Sequence, residues 1–120
     1  MICMRESQPH ALMTAFNLLN GVQTAECRDI IEDVLRCEFG CQGIVMADWI
    51  IGDGTVDKTS AHPSPSADLI AAVGGDLVMP GGKRDCDKIL VALDRGTLIR
   101  KQLEINATRV YRMAKMLNLK

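Results

Sequence analysis

Aromatic residues are scarce in this sequence, with one Trp, one Tyr and two Phe among 120 positions. Against so few rings, the single tryptophan, Trp49, stands out. An excess of one charge is also missing, because fourteen basic residues face fifteen acidic ones. Without a basic field, neither nucleic acid nor an anionic membrane surface is an expected partner. No apolar run approaches the roughly 20 residues that span a bilayer. The start, Met1-Ile2-Cys3-Met4-Arg5-Glu6, lacks the basic-then-apolar layout of an export signal.

Metal-ligand spacing is missing too. The five cysteines are odd in number, Cys37 and Cys41 stand four apart rather than in a C-x-x-C pair, and His10 and His62 lie far from both. No metal and no cofactor is expected. The cysteines read as buried, reduced thiols, which favours a cytoplasmic protein. Asn106-Ala107-Thr108 fits a glycosylation sequon, but its place in a helical pattern argues against use. At 48% hydrophobic and 24% charged residues, the chain has the composition of one small globular domain.

Short apolar runs alternate with helical patterns. Residues 12–16 form an apolar run before Asn20-Gly21, the profile of a strand leading into a turn. Thr24 is placed to cap a helix with Cys27, Ile30, Ile31, Val34 and Leu35 on one face, ended by Gly40. Residues 43–47 are continuously apolar, as in a strand covered on both faces, and Asp48-Trp49 close it. A long Gly-, Asp-, Ser- and Pro-rich loop spans 50–66. Ser64-Pro65 then offers a cap for a short helix over 67–73, and Asp76 to Met79 form a third strand stopped by Pro80. A helix with Cys86, Ile89, Leu90 and Leu93 on one face follows. The last helix, capped by Thr97, carries Ile99, Leu103, Asn106, Val110, Met113 and Leu117 as an amphipathic stripe. The order predicts an α/β fold with parallel strands.

In such sheets, sites gather at the carboxyl ends of the strands. Asp48 and Trp49 sit at that end of the second strand. An indole beside a carboxylate suits a sugar: the ring offers an apolar face to C–H groups and the carboxylate a charge for the anomeric centre. A plain loop-capping aspartate is the bland alternative.

Three ordered stretches carry a resemblance. They are Ala11-Leu-Met-Thr-Ala-Phe-Asn-Leu-Leu-Asn-Gly-Val22, Asp33-Val-Leu-Arg-Cys-Glu-Phe-Gly-Cys-Gln-Gly-Ile-Val-Met-Ala-Asp-Trp49 and Gly75-Asp-Leu-Val-Met-Pro-Gly81. Together they resemble family 3 of the glycoside hydrolases, the β-glucosidase family. The resemblance implies that residues 1–120 are the C-terminal portion of a family 3 barrel domain, a single incomplete domain. It also implies that Asp48 is the catalytic nucleophile of a retaining β-glycosidase. Met13 matches a family methionine placed against the sugar. Phe16 stands where the family has a tyrosine, keeping the aromatic wall without the hydroxyl, and Ala47 replaces a serine or threonine. With Trp49, these residues make the expected substrate-binding set.

Retaining hydrolysis needs two carboxyl groups roughly 5 Å apart. The resemblance assigns only the first; Glu38, Asp53 and Asp57 read as solvated surface. A full barrel has eight strand-helix units and this sequence has three strands, so a partial (β/α)8 barrel is expected. It would be a truncated piece, a remnant gene product, or a part pairing with another chain. Its expected partners are a carbohydrate and either a second copy or the remainder of a parent enzyme. Two other classes stay open: a non-catalytic carbohydrate-binding or interaction module, and a phosphate-binding piece using Pro80-Gly81-Gly82-Lys83 before a helix.

Overall fold

The computed structural model describes residues 2–49 and 64–118. The predicted loop over 50–66, with Asp53, Asp57 and His62, therefore lies almost wholly outside the described residues.

The chain begins with helix α1 (Ile2–Ser7) and enters strand β1 (Ala11–Met13). β1 pairs in parallel with β4 (Ile44–Met46), opposing Ala11 to Ile44, Leu12 to Val45 and Met13 to Met46. The Thr14 amide adds a bond to the Met46 carbonyl at 2.9 Å. Beyond it the predicted strand ends early. The Thr24 hydroxyl takes the Ala15 carbonyl at 2.5 Å and the Thr24 amide takes that of Asn17 at 3.1 Å, drawing the chain off the sheet. Thr24 is thus a tether, not the predicted helix cap. Between them β2 (Leu18–Leu19) and β3 (Val22–Gln23) form a hairpin around Asn20 and Gly21. Both turn residues have positive φ, 51° and 83°, the requirement of a two-residue turn whose twist matches its strands.

A short 3-10 turn (Thr24–Glu26) leads to a π-helix over Asp29–Glu38, closed by the Phe39 amide on the Val34 carbonyl at 2.9 Å. It buries Ile31 and leaves Val34 partly exposed. Leu12, Ile30, Ile31, Val34, Leu35 and Val45 line the space between it and the sheet, so β1 and β4 turn Leu12 and Val45 toward the helix. By strand alternation, Met13 and Met46 share the opposite face.

Helix α2 (Ala67–Ala72) starts from Ser66 as its N-cap, two residues after the predicted Ser64 cap. The third strand is present as a single parallel bridge, Leu77 to Met46, with the Ala47 amide on the Leu77 carbonyl at 2.8 Å. Its ladder stops there for a visible reason. The Gly75 carbonyl goes to the Asn106 amide at 3.0 Å, while the Val45 amide goes to the Asp76 carboxylate at 2.7 Å. Side chains have replaced one rung of backbone pairing.

Helices α3 (Lys83–Asp94) and α4 (Arg100–Asn118) complete the chain. α3 is rotated from the predicted face: Ile89, Ala92 and Leu93 point inward, and Leu90 and Cys86 are exposed. The Thr97 hydroxyl closes α3 on the Ala92 carbonyl at 3.2 Å instead of capping α4. Ala47 packs with Ala25 and Ile70, and Leu98 with Ala71 and Ala92, small residues that let elements approach closely. Burying Leu98 contributes about 1.5–3 kcal/mol. The predicted stripe on α4 docks at its centre through Asn106, while Ile99 and Leu117 at its ends stay exposed.

The architecture is α/β, with β1, β4 and the Leu77 segment as parallel neighbours. Among the described residues no helix is long and apolar enough to cross a membrane. All five cysteines are free; Cys27 and Cys41 are buried, but Cys3, Cys37 and Cys86 are exposed, correcting the expectation of buried thiols.

Candidate functional site

Parallel pairing sends the ends of β1, β4 and the Leu77 segment to one edge of the sheet, and all four predicted site residues lie there. Met13 ends β1, and its partner Met46 ends β4. Asp48 follows Met46 by two residues. Phe16 is held between the tethered carbonyls of Ala15 and Asn17. Met13, Phe16 and Trp49 are 56%, 48% and 57% exposed, a concentration of apolar surface beside one carboxylate.

Asp48 is half-buried, and its Oδ1 accepts the Trp49 amide at 2.6 Å. That bond turns one oxygen back onto the chain. Among the described residues Oδ2 takes no hydrogen bond. Ala47, where the family resemblance calls for Ser or Thr, is buried against Ala25 and Ile70, where a methyl group fits.

Upstream of this edge lies a group of buried charges that the sequence reading missed. Asp76 is fully enclosed, with Oδ2 accepting Arg36 Nη2 and the Val45 amide, both at 2.7 Å, and Oδ1 accepting Arg109 Nη1 at 3.3 Å. Arg109 Nη2 reaches Glu32 at 3.3 Å. Burial lifts the Asp76 carboxyl above its ordinary range, while the Val45 amide and the two guanidiniums pull it back. Two signals pointed to this cluster: an acid opening an otherwise apolar strand, and Asn106 with Arg109 one turn apart on the inward face of α4.

The remaining acidic candidates differ. Glu38 is exposed, as expected. Glu26 is half-buried and accepts the Ser66 amide at 2.6 Å; burial, with Asp68 adding to it, raises its carboxyl against the pull of that amide and Lys88. At Gly82, the start of α3, Lys83 is paired with Asp87 at 2.9 Å and Asp85 sits in the first turn, an arrangement unfavourable to phosphate. Among the described residues no group of three or more His, Cys, Asp or Glu could hold a metal ion.

The sequence model of the glycosyl hydrolase family 3 N terminal domain matches residues 3–113. The chain belongs to glycoside hydrolase family 3. β-Glucosidase B of Emericella nidulans is 33% identical over 119 residues, which are 98% of this chain and 13% of that protein. Family 3 structures superpose well. β-Glucosidase 3B of Thermotoga neapolitana gives a TM-score of 0.78 at 28% identity, covering 93% of this chain and 15% of its own. The family 3 β-glucosidase of Bifidobacterium adolescentis gives 0.73 at 30%, with the same coverage. The chain thus spans about an eighth of the length of the curated relative, and its resemblance is to glycosidases.

Proposed function

We propose that this chain is the nucleophile-bearing part of a retaining β-glycosidase, the C-terminal portion of a family 3 (β/α)8 barrel acting on terminal β-D-glucosyl or related residues. A carboxylate oxygen of Asp48 attacks the anomeric carbon as the glycosidic C–O bond breaks. A second carboxylic acid, supplied from outside these residues, protonates the leaving oxygen. Water then hydrolyses the glycosyl ester, returning the sugar and the free Asp48 carboxylate. Met13, Phe16 and Trp49 form the apolar wall against the sugar ring. No cofactor takes part.

The observation that carries this reading is the placement of Asp48: at the carboxyl end of β4, two residues past the Met13–Met46 pair, with an exposed indole beside it, in a chain of family 3. Because its acid partner must come from elsewhere, the 120-residue chain alone is expected to turn over no aryl β-glucoside. Its function then depends on the rest of a parent polypeptide. Five free thiols support a reducing, cytoplasmic setting.

The test is trapping. In the full-length polypeptide carrying this segment, a 2-deoxy-2-fluoro β-glucosyl fluoride should leave its sugar on the peptide containing Asp48, and Asp48→Asn should abolish the adduct. A sugar found on another carboxylate refutes the assignment.

A further inference from the structure

The buried charges of this chain touch β4 where it starts, not where Asp48 sits. Arg36 is 94% buried at its side chain and Asp76 wholly so, from exposures of 6% and 0%. Arg36 does three things: it pairs with Asp76, donates to the Cys41 carbonyl at 3.1 Å, and donates to the Gly43 carbonyl. Asp76 in turn takes the Val45 amide. Leu77 takes the Ala47 amide. β4 is therefore gripped at its entry, middle and exit, and Asp48 is the next residue.

A buried ion network is a poor device for stability alone, because desolvating its charges offsets most of their attraction. It is a good device for holding one geometry. Each strand residue advances the chain by about 3.3 Å, and a slip of one residue turns every side chain to the other face. A reacting carboxylate tolerates displacement of only about 0.5 Å.

We infer that the Arg36–Asp76–Arg109–Glu32 network fixes the height of β4 and thereby the carboxylate of Asp48, with Arg36 and Asp76 as positioning residues. The inference rests on Asp48 being the nucleophile. Arg36 is the centre of the device, since its planar fork reaches a carboxylate and two carbonyls at once; a lysine keeps the charge but not the fork.

Site-resolved amide exchange on the 120-residue chain tests the grip without any activity. In Arg36→Lys the Val45 and Ala47 amides should exchange about tenfold faster while those of residues 89–93 in α3 change less than about twofold. Arg109→Lys, which on Asp76 meets only Oδ1 and not the oxygen that takes the Val45 amide, gives a milder form of the same pattern should Arg36→Lys not fold. Equal acceleration of all protected amides, or none at Val45 and Ala47, overturns the inference.

The catalytic half is read in the full-length polypeptide with an activated aryl β-glucoside. Arg36→Lys should lower kcat about tenfold or more with KM within about twofold. In an Asp48→Gly background, added azide attacks the anomeric carbon in place of the carboxylate and the aryl oxide departs. There Arg36→Lys should change azide-dependent turnover less than about twofold, because no carboxylate remains to be placed. A tenfold loss that persists in this background overturns the positioning role. Full turnover by Asp48→Gly without azide refutes the nucleophile instead, and leaves the exchange result standing.

Discussion

At Gly43 a methyl group would meet the Pro9 carbonyl oxygen at 2.5 Å and the His10 carbonyl carbon and oxygen at 2.7 Å, all of them backbone. Neither neighbour can rotate away, since the His10 carbonyl also accepts the Ile44 amide at 2.9 Å. Gly43→Ala is expected to cost about 1–3 kcal/mol, seen as a lower urea midpoint at unchanged slope. Glu26 allows a pH prediction. Its folded carboxyl titrates above its unfolded value because of burial, so the folded state holds the proton more tightly. The resulting stability is fully present below the unfolded pKa and is lost as pH rises through the folded one. Relative to Glu26→Gln, the native chain should therefore lose stability across that upward interval; urea titrations at a series of pH values check this, and a gain would contradict it. Met13, Phe16, Asp48 and Trp49 were nominated because a motif carries them. Arg36 was not, because an arginine on a helix looks the same in sequence whether it meets solvent or a buried acid.

Helix α4 depends on Asn106 more than on its apolar stripe. The Asn106 Nδ2 donates to the Ala71 carbonyl at 2.8 Å and the Gly75 carbonyl at 3.0 Å, and Oδ1 accepts from Gln102 at 2.8 Å. Asn106→Ala should cost about 1–3 kcal/mol, since the buried Gly75 carbonyl is left without a donor and the Ala71 carbonyl keeps only backbone amides of its own turn; a change under about 0.5 kcal/mol in the unfolding free energy would show that water replaces the amide. Elements were more legible than their caps. The periodicity of the helices predicts α3 and α4, but Thr24 and Thr97 spend their hydroxyls on carbonyls across a turn, a choice that depends on tertiary neighbours. The third strand was foreseen and its single rung was not, because the competitors for its backbone groups come from residues 30 or more positions away.

For the whole molecule, the exposed side of the sheet and the outer edge of β1 decide behaviour in solution. β1 pairs with β4 alone among the described residues. A cavity of about 300 Å3 opens beside it, lined by Met4, Leu12, Met13, Ile31, Leu35 and Phe39. Unpaired edges and apolar surface invite association. Light scattering of the 120-residue chain should show average mass rising with concentration, and a constant monomer mass up to millimolar concentration would contradict this. Parallel order followed from the alternation of elements; the place of a partner could not, since it is written on surface that this chain leaves open.

The exchange of a backbone rung for side chains also sets an order on synthesis. Arg36 is made 40 residues before Asp76, and Glu32 is made 77 before Arg109. A nascent chain can pair β1 with β4 early, but the segment bearing Leu77 lacks the donor for its Gly75 carbonyl until Asn106 leaves the ribosome. Until then the strand carrying Asp48 has one firm neighbour, so its register is finished only once α4 has emerged.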